Sequence, residues 1–306
     1  MPDVTDSDAE LAELLAEVRR IEVQARRLAA GALAGGYRSV FRGSGIEPDT
    51  VREYDPGDDP RLVDWNVTAR MGRPFVKTMT DERDLAVLFA LDVSPSMDGG
   101  WGAYSARDSA ARVVACLAMN AVRAGDRVGL VAFSRDVDAF VPPKRGPGHA
   151  MRIVRDALVL RGEAGGGGLA AALDRVRRVV RRHAVVFVVS DFHDEGWTSS
   201  MALAARRHDV IAVRLVVPET DLPRAGMLRV VDPESGVARL VDTGHAPTRK
   251  AWHERRAAWD RRTVEALARA GVDRMDLSTP RMRQRDHVAQ SLLDFFRMRE
   301  LRGLKR

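Results

Sequence analysis

A chain of 306 residues with 45% hydrophobic and 30% charged side chains has the composition of a folded globular protein, long enough for one large core or two modest ones. Its apolar runs fall short of the ~20 residues that span a bilayer, and acids stand near its start where a secretory leader would carry basic and then apolar residues, so a cytoplasmic location is expected. A single cysteine, Cys116, excludes a disulfide framework and a cysteine-based metal site, and a formal charge of +6 raises the question of nucleic acid.

The first predicted element is a helix from Ser7, where Ser7 and Glu10 form a capping box, to about Leu33 before Gly35-Gly36. Residues 37–82 read as a strand-containing elaboration: turn clusters at Gly43-Ser-Gly45 and Asp55-Pro-Gly57-Asp58-Asp59-Pro60 separate short β-like pieces at Val51 to Tyr54 and Phe75 to Met79. From Leu85 the pattern alternates strand and helix, which predicts a doubly wound, mostly parallel α/β sheet across residues 83–245. The expected order is a strand Leu85 to Leu91, a helix Ser105 to Arg123, a strand Arg127 to Phe133 with a hairpin partner near Val137 to Val141, and helices at His149 to Leu160 and Leu169 to His183. A strand Ala184 to Ser190, a helix Trp197 to Arg207, a strand Val210 to Val217 and an antiparallel pair at Leu228 to Val231 and Ala238 to Val241 follow. Residues 246–306 form an α/β extension on the same domain: a helix Thr248 to Ala270, a strand Arg274 to Leu277 and a helix Arg285 to Arg299. Residues 1–36 form the N-terminal helical segment.

Basic residues are concentrated as arginine, since only Lys77, Lys144, Lys250 and Lys305 are lysines. The densest run, Arg175, Arg177, Arg178, Arg181 and Arg182, interleaves with Leu173, Val176, Val179 and Val180 at helical spacing, which makes a solvated face of an amphipathic helix. It lacks interleaved aromatics of the kind that stack nucleic-acid bases. Cys116, inside an apolar helical stretch, reads as a small buried hydrophobe.

The chemistry concentrates where two buried strands end. Leu85 to Leu91 is continuously apolar and runs into Asp92-Val-Ser94-Pro-Ser96; Ala184 to Ser190 is β-branched and ends at Asp191. Strands covered on both faces have this unalternating pattern, and ligands of open α/β sheets collect outside the carboxyl ends of such strands. Asp92, Ser94, Ser96 and Asp191 together offer carboxylate and hydroxyl oxygens suited to Mg²⁺, Mn²⁺ or Ca²⁺ rather than zinc. The alternative for the serines is capping of the helix near Ser105 or satisfaction of loop backbone.

Upstream stands a long, chemically odd string, Arg52-Glu-Tyr54-Asp-Pro-Gly57-Asp58-Asp59-Pro-Arg61-Leu-Val-Asp64-Trp65, followed by Ala69-Arg70 and Asp81-Glu82. With it, the region from Gly43 to Phe296 resembles a von Willebrand factor type A domain, specifically the bacterial family catalogued as domain of unknown function 58. The set Asp92, Ser94, Ser96 and Asp191 resembles the metal-ion-dependent adhesion site of type A domains. That resemblance implies a divalent cation with one open coordination position, completed by a carboxylate from a partner protein. It also implies a threonine ligand in a Gly-Gly-Thr-x-Leu pattern, where this chain reads Gly165-Gly166-Gly167-Gly168-Leu169 and Gly167 has no side-chain oxygen. The Gly run lacks the Lys and Ser or Thr of a phosphate-binding loop. Within the upstream string, Arg52, Arg61 and Arg70 are expected to pair with Asp58, Asp59 and Asp64, with Trp65 as apolar anchor.

The resemblance implies a non-enzymatic protein-interaction adaptor working with an AAA+ ATPase of the MoxR type on the maturation or metal loading of a client protein. Two other readings stand beside it. One is a metal-dependent phosphatase-like hydrolase using Asp92, with His193 as base, although Ser94 stands where such enzymes place a second acid. The other is nucleic-acid binding through the arginine-rich helices.

Overall fold

The structure is a computed structural model that describes residues 19–21, 23–27, 32–41, 50–78, 85–99, 104–217, 222–279 and 287–303. Six strands form the central sheet: β3 (Ala86–Asp92), β4 (Arg127–Phe133), β5 (Val137–Lys144), β6 (Ala184–Ser190), β7 (Asp209–Val216) and β10 (Asp273–Ser278). Their spatial order is β10-β7-β6-β3-β4-β5. Every neighbouring pair is parallel except β4 and β5. The chain starts in the middle at β3, builds outward through β4 and β5, then crosses to the other side of β3 to lay down β6, β7 and β10. Strand order therefore reverses between β3 and β6, the place where doubly wound sheets bind ligands.

The apolar runs of β3 and β6 are explained by what covers them. On β3, Val87, Phe89 and Leu91 enter one core together with residues of α3 (Ala106–Arg123), α4 (Pro147–Val159) and α8 (His287–Gly303). Ala86, Leu88 and Ala90 enter a second core with α5 (Gly168–Val179), α6 (Thr198–Ala205) and Leu267 of α7 (Ala246–Arg269). Alternate residues face opposite layers and both layers are helical, so neither face of the strand meets water. Phe89 and Phe187 stack across β3 and β6 with ring centroids 5.8 Å apart. Cys116 lies buried in the first core, as expected.

Helix α1 (Ala32–Phe41) runs through Gly35-Gly36, which corrects the expected stop before that pair. Packing overrides the glycine propensity here: a Cβ on Gly36 would stand 3.1 Å from Cβ of Phe296 on α8, so the small residue permits a close helix pair. Tyr37 and Phe41 of α1 meet Phe296 edge-on, and the Tyr37 hydroxyl donates to Asp126 at 2.8 Å. The expected boundary at residue 37 thus falls inside a helix, and the capping box at Ser7 lies outside the described residues. At the other end, β10 of the 246–306 extension pairs in parallel with β7 and completes the same sheet. Arg299 of α8 fixes this edge through Asp209 at 2.8 Å and Asp273 at 2.9 Å.

The elaboration is built around its own antiparallel pair, β1 (Thr50–Glu53) with β2 (Phe75–Thr78), hydrogen-bonded apart from the central sheet. The expected charge network takes a different form. Arg52 makes a two-pronged fork to Asp58 at 2.6 and 2.8 Å, whereas Asp59 caps the 3₁₀ turn Pro60–Leu62 and Asp64 caps the helix α2 (Trp65–Met71) through the N–H groups of Asn66 and Val67. Trp65 is 73% exposed and does not anchor the segment. Short carboxylates beside backbone N–H groups at helix starts are satisfied locally, which leaves them no need of Arg61 or Arg70.

Candidate metal and docking site

Asp92 is the last residue of β3 and Asp191 the first after β6, and both are buried. Parallel pairing aligns the two strands from Ala86 opposite Ala184 to Leu91 opposite Val189, so both carboxylates arrive at one rim. Asp92 Oδ1 accepts from the Ser94 N–H at 3.0 Å and Oδ2 from the Ser190 hydroxyl at 2.6 Å. The Ser94 and Ser96 hydroxyls lie 3.0 Å apart, and Ser96 is near enough to Asp191 to favour its charged form. The four residues singled out from the sequence therefore come together.

The capping alternative for the two serines fails. Helix α3 is capped by Ser105, whose hydroxyl accepts from Asp108 N–H while Asp108 accepts from Ser105 N–H. Ser94 precedes the 3₁₀ turn Pro95–Asp98, yet its side chain makes no capping bond there. Its hydroxyl is turned to the rim.

Electrostatics at the rim is that of two acids held too close. Burial and then the charge of Asp191 push the Asp92 carboxyl up to about 7. Burial also raises Asp191, but His193 and the Ser96 hydroxyl outweigh it and hold that carboxyl below its usual range. His193 is half-exposed, with Nδ1 3.0 Å from Asp191 Oδ2 and its ring stacked on Trp259 at 4.2 Å. Burial disfavours a proton on this imidazole, yet the Asp191 carboxylate outweighs that effect and raises its pKa.

A hard divalent cation fits this donor set, since all four side chains offer oxygen and a cation would relieve the crowding of Asp92 against Asp191. Among the described residues no group of three or more His, Cys, Asp or Glu side chains is placed to hold a metal. The two hydroxyls would have to complete the shell.

Three features that support the rim are not readable as motifs. Arg107, 3% exposed, lies beneath the first loop: it donates to the carbonyls of Val93, Ser94 and Leu160 and forks onto Asp98 at 2.5 and 3.2 Å. Phe192 turns the chain after Asp191 with φ 61, the one non-glycine residue with positive φ among those described, and is fully buried against Trp197. A bulky residue held in the left-handed region marks a backbone whose course is fixed by its surroundings. Asp194, next along, accepts from the N–H groups of Gly167 and Leu169 and so fixes the glycine loop.

That loop gives the missing threonine a backbone explanation. Gly165, Gly166 and Gly167 have φ values of 131, 60 and 99, all costly for a residue with a Cβ. A Cβ on Gly168 would also stand 2.3 Å from the Ser134 carbonyl oxygen. The segment follows a path written for glycine, so Gly167 differs from threonine in backbone as well as side chain.

The fourth contribution comes from far along the chain. Between β8 (Met227–Val231) and β9 (Ala238–Asp242) the turn presents Glu234, whose Oε1 accepts from Ser96 N–H at 3.0 Å and Oε2 from Gly165 N–H at 3.2 Å. Beside it opens a cavity of about 820 Å³ whose lining includes Asp191, His193, Glu234, Arg255 and Trp259. A second, of about 480 Å³, takes in Asp92, Ser94, Ser96, Asp191 and the glycine loop.

The family model described as "Protein of unknown function DUF58" matches residues 50–262, a span that contains every residue of the rim. Uncharacterized proteins of Mycobacterium bovis and Mycobacterium tuberculosis are each 32% identical over 242 residues, covering 78% of this chain and 76% of their own length. Among solved structures, the conserved hypothetical protein BatB from Bacteroides thetaiotaomicron aligns with a TM-score of 0.41 at 14% identity, over 70% of this chain and 98% of that one. The pilus adhesin SpaC from Lactobacillus rhamnosus GG gives 0.40 at 10% identity, over 72% and 31%. Both scores lie below one half, and the fold rests on strand order and register instead.

Proposed function

The chain belongs to the DUF58 family, and on that footing we propose that it is a non-enzymatic adaptor whose sheet rim holds a divalent cation and grips an acidic group of a partner protein. The observation that carries this reading is the junction of Asp92 and Asp191 at the strand-order reversal, buried, with two hydroxyls between them. Asp92, Ser94, Ser96 and Asp191 would hold Mg²⁺, or Mn²⁺ or Ca²⁺ in its place. A cation with incomplete protein ligation supplies an open position that a carboxylate from another protein can fill. Around it the chain's own groups set the geometry: Arg107 fixes the Asp92 to Ser96 loop from below, Ser190 orients Asp92, and His193 orients Asp191. Outer groups of this kind commonly change metal affinity 10- to 100-fold when removed.

Membership of the DUF58 family extends the proposal to a partner, an AAA+ ATPase of the MoxR type, and to a task, maturation or metal loading of a client protein. Calorimetric titration with Mg²⁺ and Mn²⁺ tests the cation. We expect saturable binding by the wild type and none by Asp92→Ala. Recovery of a MoxR-type ATPase from the same organism on immobilised protein tests the partner, and equal recovery on wild type and Asp92→Ala would remove the rim from the mechanism.

A further inference from the structure

We propose that the Ser96 and Gly165 N–H groups form a receptor for a single carboxylate, that this receptor is filled by the chain's own Glu234, and that the β8–β9 hairpin is a latch displaced by an acidic side chain of a partner protein. The inference deepens the docking reading above and rests on it for the identity of the incoming group. It is carried by a different observation, namely where one side chain of the hairpin ends.

Glu234 is delivered by a turn built for presentation. In Asp232-Pro-Glu-Ser-Gly236, Asp232 Oδ1 accepts from Glu234 N–H at 3.0 Å, Asp232 Oδ2 accepts from the Ser235 hydroxyl at 2.5 Å, and Gly236 closes the turn with φ 68. Asp232 thereby satisfies the turn's own donors and leaves the Glu234 carboxylate free to reach outward. Each of its oxygens takes one N–H from a different loop, Ser96 on the first strand-end loop and Gly165 on the glycine loop. Charge-assisted bonds of this type are stronger than neutral ones, so the pair is a specific seat for a carboxylate.

The hairpin around it is lightly held. Its two strands pair with each other and with no strand of the central sheet among the described residues. Met227, Val231, Val237 and Leu240 are exposed, Leu240 at 72%. At its root the Thr243 hydroxyl donates to the Gly226 carbonyl at 2.7 Å, and Arg249 donates to the Thr243 carbonyl at 2.6 Å. An element fixed at its root and by one carboxylate at its tip, with little buried apolar surface, opens at low cost.

Charge decides what replaces Glu234. The seat already accepts an acid, and the adjoining cavity of about 820 Å³, whose lining mixes Asp191, Asp232 and Asp260 with Arg214, Arg255 and Arg256, sets Arg255 and the aromatic wall of Trp259 beside it for residues flanking a second acid. A carboxylate side chain of a partner matches the seat, and mixed-charge neighbours match the cavity. Because internal and external carboxylates compete for the same two N–H groups, a partner's apparent affinity is lowered by the fraction of time the latch is shut.

The test compares full-length wild type with Glu234→Ala and the isosteric Glu234→Gln, each checked for native circular dichroism. In metal-free buffer, hydrogen exchange should be roughly tenfold faster at the Ser96 and Gly165 amides and across residues 227–242 in both variants, the loss expected when a charge-assisted bond is removed. A fluorescein-labelled hexaglutamate peptide, titrated with and without Mg²⁺, should bind both variants roughly tenfold more tightly than wild type. Unchanged exchange overturns the latch, and equal peptide binding by all three proteins overturns the receptor. Faster exchange and tighter peptide binding without any Mg²⁺ uptake would uphold this inference while refuting the cation in the docking proposal.

Discussion

Two stretches of this chain are rich in aspartate beside small turn residues, and they behave in opposite ways. In the elaboration, Asp55, Asp58, Asp59 and Asp64 lie on the surface and each is used within a few residues of itself, as helix cap or as partner of Arg52. At the rim, Asp92 and Asp191 meet groups far along the chain, Ser190 lying 98 positions from Asp92; both are buried, and burial and then the charge of Asp191 raise Asp92 while His193 and Ser96 hold Asp191 low. Aspartate density is thus a poor guide to chemistry. What distinguishes the rim is that a reversal in strand order brings acids together where water cannot screen them.

The contrast can be broken most severely at the arginines. Arg107→Met removes a buried guanidinium's bonds to three loop carbonyls and to the half-exposed Asp98, all of which keep a second donor, and should cost about 2–4 kcal/mol in urea unfolding. A loss under about 1 kcal/mol would show that the rim is no more demanding than an exposed ion pair. A background slope must be known before pH can sharpen the comparison, and His208 supplies it. Burial, then the charges of Arg207, His183 and Arg177, push this imidazole down to about 4 from its ordinary 6.5, and both ring nitrogens lack hydrogen-bond partners among the described residues. The folded state therefore resists a proton that the unfolded chain accepts. Stability should be full above pH 6.5 and fall by roughly 3 kcal/mol at most as pH drops towards 4, and His208→Gln should flatten that slope.

Smaller effects follow in the loops. Gly167→Thr, which would restore the side chain expected by resemblance, should destabilise by about 1–2 kcal/mol through its left-handed backbone and bring no gain in Mg²⁺ affinity by calorimetry. Tighter Mg²⁺ binding in that variant would mean the loop readily changes its path. Smallest of all, Arg52→Ala should leave the urea midpoint unchanged within error, since both Arg52 and Asp58 are solvated. A midpoint shift as large as that of Arg107→Met would erase the distinction between the two stretches.

The parts of this architecture legible in the sequence were those with local physical signatures. Unalternating apolar runs identified β3 and β6 as doubly covered, and each ended in the acid that the topology then placed at the rim. Ser105 was legible as a helix start because capping is read from neighbours. Gly35-Gly36 misled, since a helix break is only the default for glycine and close packing on Phe296 reverses it. Trp65 misled for the opposite reason, as aromatic character favours burial without requiring it. The positive φ values that explain Gly165 to Gly167 were invisible as values, although the glycine run itself announced them. Glu234 left no trace at all, because its turn signals only a turn and its partner Ser96 lies 138 positions away.

The span from Ser96 to Glu234 also has a consequence in time. During synthesis the first strand-end loop leaves the ribosome long before the hairpin that closes it, and β10 and α8, which complete the sheet and its first core, emerge later still, so the rim and its stopper are finished together once the whole chain is free.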